Sequence, residues 1–113
     1  MPAYLVQFSY TPQSIKGMVD EPGKDHAGEA SALVQSLGGK LLGYWYAFGD
    51  FDGVVLVEAP DNSTAASVAM AIEGTGEVAR FRTTVLLSMD EAREAMRKAA
   101  TATHLPPGGK EGR

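Results

Sequence analysis

The residues able to do chemistry in this chain are few and fall into small groups. Asp50, Asp52 and Glu58 form the densest acidic group. Three carboxylates are hard oxygen ligands suited to magnesium or calcium. Asp50 and Asp52, however, flank Phe51 and precede Gly53, where aspartate favours a turn through local hydrogen bonds. The further spaced ligands of a calcium loop are missing, so no metal is expected. Glu58 ends an aliphatic run, Val54–Val57. A carboxylate there is a candidate general base if its surroundings are apolar, and Asp52 is the second candidate. Arg80 and Arg82 alternate along a later segment. Either can pair with Glu58, and Arg82 is placed to hold an anionic ligand or intermediate. His26 and His104 are the only histidines, and neither has a second one at ligand spacing, so no cofactor is expected. Tyr44, Trp45, Tyr46 and Phe48 supply aromatic surface with polar handles, suited to a flat organic ligand or to a plain interface.

These side chains need a scaffold, and the sequence patterning defines one. Ala3–Tyr10 reads as a strand, with Val6, Phe8 and Tyr10 on one side and Gln7 and Ser9 on the other. Thr11-Pro12 stops it and starts a helical region to about Leu37. Glu21-Pro22-Gly23 breaks that region, giving a short helix and a longer one from about Lys24. Gly38-Gly39 ends it. A second strand runs from Lys40 to Phe48, and a turn at Gly49–Asp52 leads to a third over Val54–Glu58. Asp61 or Asn62 caps a helix with an Ala65, Val68, Ala69, Ile72 stripe. A fourth strand spans about Glu77 to Leu87, with Phe81, Val85 and Leu87 opposite Arg80, Arg82 and Thr84. Ser88-Met89-Asp90-Glu91 is a capping box for a last helix to Ala100.

The order β-α-β-β-α-β plus a terminal helix predicts an α+β domain of the ferredoxin-like kind. Its sheet has four antiparallel strands with the crossover helices on one face. Residues 1–100 form this domain, and 101–113, rich in Pro, Gly and charge, form a flexible tail. The other sheet face carries Leu5, Val54, Leu56 and an aromatic of the second strand. An open apolar face marks an association surface, so a homodimer or higher homo-oligomer is expected. A binding site is expected between this face and the first helix. Gln7, Ser9, Trp45, Glu58 and Arg82 would line it.

Composition narrows the partners. The chain has 113 residues, no cysteine and a net charge of −4. Disulfides and thiolate chemistry are excluded, and the reduced, leaderless character fits a cytoplasmic location. No apolar run approaches the ~20 residues needed to cross a bilayer, so no membrane partner is expected. The acidic balance points away from nucleic acid. A G-x-G-x-x-A match at Gly74–Ala79 leaves a helix and enters a strand, the reverse of a dinucleotide fingerprint.

Gly38–Tyr44 and Gly49–Asp61, with the opening Met1–Val6 and Tyr10-Thr11, resemble the GYD domain family over about residues 1–90. Gly49 and Asp52 match the family's signature, while Phe51 stands where tyrosine is usual. The resemblance implies a dimeric α+β barrel. Relatives in that broader group include cofactor-independent monooxygenases, haem-degrading enzymes, YCII-like proteins and ligand-sensing domains. Three readings of function are therefore open. The first is a small-molecule-binding module. The second is a monooxygenase-like or YCII-like enzyme with Glu58 or Asp52 as base and Arg82 as anion holder. The third is an assembly dimer without a ligand.

Overall fold

The computed structural model describes residues 1–103, so His104 and most of the expected tail lie outside the described residues. The elements run β1 (Ala3–Tyr10), α1 (Pro12–Asp20), α2 (His26–Ser36), β2 (Lys40–Tyr46), β3 (Gly53–Glu58), α3 (Asn62–Glu73), β4 (Val78–Leu86) and α4 (Met89–Ala100). The sheet order is β2-β3-β1-β4, and every neighbouring pair is antiparallel. This is the ferredoxin-like arrangement that the sequence order predicts.

Local chemistry sets the boundaries. Thr11 accepts the Ser14 N–H at 3.1 Å, and Pro12 opens α1. Asp25 accepts the Gly28 N–H at 2.9 Å, so α2 begins at His26 rather than at Lys24. Gly38, at φ 96°, takes the left-handed conformation that turns the chain out of α2. Asp61 accepts the Thr64 N–H at 2.8 Å and starts α3. The capping box forms in full, with Ser88 Oγ accepting from Glu91 N at 3.0 Å and Glu91 accepting from Ser88 N at 2.9 Å. β2 stops two residues short of the expected Phe48. The Ala47 N–H donates to the Asp52 carbonyl at 2.8 Å and closes the hairpin, leaving Phe48 fully exposed.

The core lies between the sheet and helices α2 and α3. Val6, Phe8, Val55 and Val57 from the two central strands meet Val34 of α2 and Val68 of α3. A second small cluster, Tyr4, Ala59 and Ala65, sits at the start of α3, where the Tyr4 hydroxyl donates to Asn62 at 2.8 Å. The alternate residues of these strands point to the open face.

β2 departs from simple alternation. Leu41 pairs with Val57 and Gly43 with Leu56, so two β2 residues oppose one β3 residue. The bulge flips the facing of everything after it. Tyr44 turns toward the core, while Trp45 turns to the open face, 55% exposed. The indole covers Gly43, where a Cβ would overlap the ring.

α4, like α1, has no buried residue. Asp90 and Glu91 in its first turn and Arg97 and Lys98 in its last complement the helix dipole. Among the described residues, no helix is long and apolar enough to cross a membrane.

Candidate functional site

The fold leaves a partly open cavity on the helix-covered face of the sheet. Its volume is about 230 Å³. The walls are aliphatic and aromatic: Val6, Phe8, Val55 and Val57 form the floor, and Leu33, Val34, Val68 and Ile72 form the roof. The polar groups gather at one end, where Tyr10, Tyr44, Lys24, His26, Glu29 and Glu77 meet. A second hollow of about 200 Å³ between α1 and the segment before α2 shares Tyr10, Lys24, His26 and Glu77 with the first. These four residues therefore border both spaces.

Tyr10 and Tyr44 hydrogen-bond to each other through their hydroxyls. They come from non-adjacent strands, with β3 between them. Phe8 supports both rings edge-on, at centroid distances of 5.3 and 6.1 Å, and stacks on Phe81 at 6.1 Å. Tyr46 braces Tyr44 from the side at 5.6 Å. Tyr10 is also held through its backbone. β1 has an irregularity between Ser9 and Tyr10, and there the Tyr10 N–H donates to Asp52 Oδ2 at 3.0 Å.

Burial drives the Tyr10 hydroxyl far above the usual tyrosine range, reinforced by its hydrogen bond to Tyr44 and by the charge of Asp52. Tyr44 is raised too, because burial outweighs the opposing effect of the Tyr10 hydrogen bond. Both phenols are neutral at physiological pH. One proton bridges the pair and one is left over, so together they offer a hydrogen-bond donor to whatever enters the cavity. Neither is a base or an anionic nucleophile. At the mouth, Lys24 Nζ and His26 Nδ1 each lie 3.9 Å from Glu29 Oε1. Such exposed pairs contribute little to stability. No three His, Asp or Glu side chains converge on a metal position among the described residues.

The residues expected to form a site at the open face take up a different arrangement. Trp45, Val54, Gln7 and Arg82 form one row across the four strands. Ser9 lies opposite Arg80, whose Nη2 donates to Ser9 Oγ at 3.5 Å. Glu58 is not in this group. It is level with Ala3, while Arg82 is level with Gln7, a separation of roughly 14 Å along the strands. Within one chain Glu58 and Arg82 do not pair. Asp52 is committed to the Tyr10 backbone. The expected position of the site, between the open face and the first helix, needs correction. Helices α2 and α3 pack against the face that carries Val6, Phe8, Val55 and Val57, opposite the open one. The cavity is on the helix side. Sequence reasoning missed Tyr10 and Tyr44 as a pair, and the signal lay in the parity of Tyr10 with Val6 and Phe8.

The sequence profile of the GYD domain matches residues 4–96. This chain belongs to the GYD domain family. The family's signature hairpin can now be read physically. In this GYD domain Gly49 takes φ 138°, and Asp52 ties the hairpin to the end of β1. Phe51, in the place of the usual tyrosine, lies within cation–π range of two guanidinium groups, with Arg80 Cζ 4.7 Å and Arg82 Cζ 5.3 Å from its ring centre. No curated protein matches the chain significantly. Among solved structures, TTHA0845 from Thermus thermophilus is similar at 16% identity and a TM-score of 0.54, covering 78% of this chain and 95% of that one. FFRP-DM1 is similar at 11% identity and a TM-score of 0.53, covering 77% of this chain and all of that one. At these identities the likeness concerns the fold.

Proposed function

We propose that this GYD domain is a homo-oligomeric module that binds a small, largely apolar molecule in the cavity beneath α2 and α3. One observation carries the reading. An apolar cavity ends in two neutral, mutually bonded phenols that retain a donor for one ligand atom. A ring-sized molecule with a carbonyl or similar acceptor suits this chemistry. The volume of about 230 Å³ lies below the ~300–1,000 Å³ of pockets for drug-sized ligands. The second half of the reading concerns the open face. It presents Leu5, Val54 and Leu56 beside the exposed Trp45, and a second copy of the chain covers that surface.

The cavity is tested by thermal unfolding with small aromatic aldehydes and ketones, using the matching hydrocarbons as controls. A ligand at a hundred times its Kd stabilises the protein by about 2.7 kcal/mol. The carbonyl compounds are expected to raise Tm in the wild type, and the Tyr10→Phe/Tyr44→Phe variant is expected to lose the advantage over the hydrocarbons. Equal stabilisation of wild type and variant, or none by any compound, would sink the cavity reading.

A further inference from the structure

Arg80 and Arg82 stand two residues apart on β4 and share the open face of the sheet. Strand geometry sets their backbones roughly 7 Å apart. Phe51, at the hairpin, gathers their head groups, since both guanidiniums lie within cation–π range of its ring. Arg80 has a further tie. Its Nη2 donates to Ser9 Oγ at 3.5 Å, and that hydroxyl donates to the Asp50 carbonyl at 3.4 Å. Gln7 is level with Arg82 and adds a side-chain amide on the same face. No counter-ion accompanies the two cations. Among the described residues, neither arginine has a carboxylate within ion-pair distance. Asp52 accepts the Tyr10 N–H instead. Glu58 lies four residues away along the strands. Asp50, next to Phe51, is exposed and pairs with neither arginine. Both guanidiniums are always charged, so the two repel each other, and a bound anion relieves that repulsion.

We propose that Arg80, Arg82 and Phe51 form a binding site for a phosphoryl group, on the opposite face of the sheet from the cavity and independent of it. A carboxylate has two oxygens and fills one guanidinium fork. A phosphoryl group has three free oxygens and carries up to two charges, so it engages both forks at once. The shared ring places the side chains before the ligand arrives, which reduces the freedom lost on binding. The chain's net charge of −4 favours a small phosphorylated molecule over a polyanion. β4 is an outer strand of the sheet, and both arginines are exposed, so the site opens to solvent at the margin of the face.

Isothermal titration calorimetry tests the site with inorganic phosphate, phenyl phosphate and benzoate, at low ionic strength and about pH 8, where the phosphoryl group is doubly charged. Both phosphates are expected to bind saturably, and benzoate at least about tenfold more weakly. Arg80→Gln/Arg82→Gln is expected to weaken both phosphates at least about tenfold. Arg82→Lys keeps the charge without the fork and is expected to retain only part of the affinity. Tighter binding of phenyl phosphate assigns the source to an organic phosphate, and tighter binding of inorganic phosphate assigns it to the free ion. Equal affinities mean that the phosphoryl group alone is read. Each of these supports the site. Far-UV circular dichroism checks that the variants keep their fold, as exposed positions allow. No saturable binding by the wild type, undiminished binding by the double glutamine variant, full affinity in Arg82→Lys, or benzoate bound as tightly as phosphate would each overturn the proposal. None of these outcomes bears on the cavity, whose ligands are scored separately by Tm.

Discussion

Tyr10 and Tyr44 show how two ordinary residues acquire a special environment. The two hydroxyls bond to each other where an apolar cavity meets its polar end. Removing one leaves its partner short of a bond, at a cost of about 1–3 kcal/mol, whereas replacing both can be nearly neutral. Tyr10→Phe and Tyr44→Phe are thus each expected to lower the free energy of unfolding in urea, and the double variant is expected to lose less than the sum. The same pair sets an alkaline limit. Folded tyrosines held above their usual range keep their protons where unfolded tyrosines, near pH 10, have lost them. Unfolding then releases protons, so the contribution is complete below about pH 10 and declines as the pH rises beyond it. Urea titrations on both sides of that value should show a steeper alkaline decline in the wild type than in the double phenylalanine variant. Asp52 adds a lesson of its own. As a sequence feature it suggested a base, and in the fold it accepts a backbone N–H that an irregular strand end would leave unpaired.

At the level of elements, most boundaries were legible because local chemistry sets them. Thr11-Pro12, Asp61 and the Ser88–Glu91 box act within three or four residues of themselves, and each appears where its pattern placed it. The faces of β3, of β1 up to Ser9 and of β4 from Arg80 onward were legible for a similar reason, since their alternation is unbroken there. β2 was not. A single extra residue between Leu41 and Gly43 reverses which aromatics meet the core, and nothing in Lys40–Phe48 marks it except the glycine. The site was the least legible part, because it depends on how far α2 and α3 stand from the sheet. That distance follows from the sum of packed side chains, not from any one motif. α4 provides a test of local control. With no buried residue to hold it, it depends on its own ends. Ser88→Ala should fray its first turn, seen as a loss of amide protection confined to residues 89–92, with no change in the global unfolding transition.

Taken whole, the molecule divides into a tightly held part and a loosely held part. β1 is central, bonded on both sides, and places Tyr4, Val6 and Phe8 in the interior. α4 leaves the sheet after Leu86 and keeps Met89 and Met96 exposed. Native-state hydrogen exchange should therefore rank the amides of Val6 and Phe8 near the global unfolding free energy and those of α4 near local fraying. Equal protection of the two would contradict this division. The family match spans both parts, since residues 4–96 run from β1 into α4.

The bulge in β2 has an optical consequence. By turning Tyr44 inward and Trp45 outward, it leaves the chain's one tryptophan on the face opposite the half-buried phenols of Tyr10 and Tyr44. The sheet thus acts as a partition between two chromophores. Indole emission reads solvent at the open face and shifts to the blue when that face is covered. The difference in near-ultraviolet absorption between the wild type and the double phenylalanine variant reads the two phenols at the cavity. Self-association and ligand entry are therefore separable without a label, by colour alone.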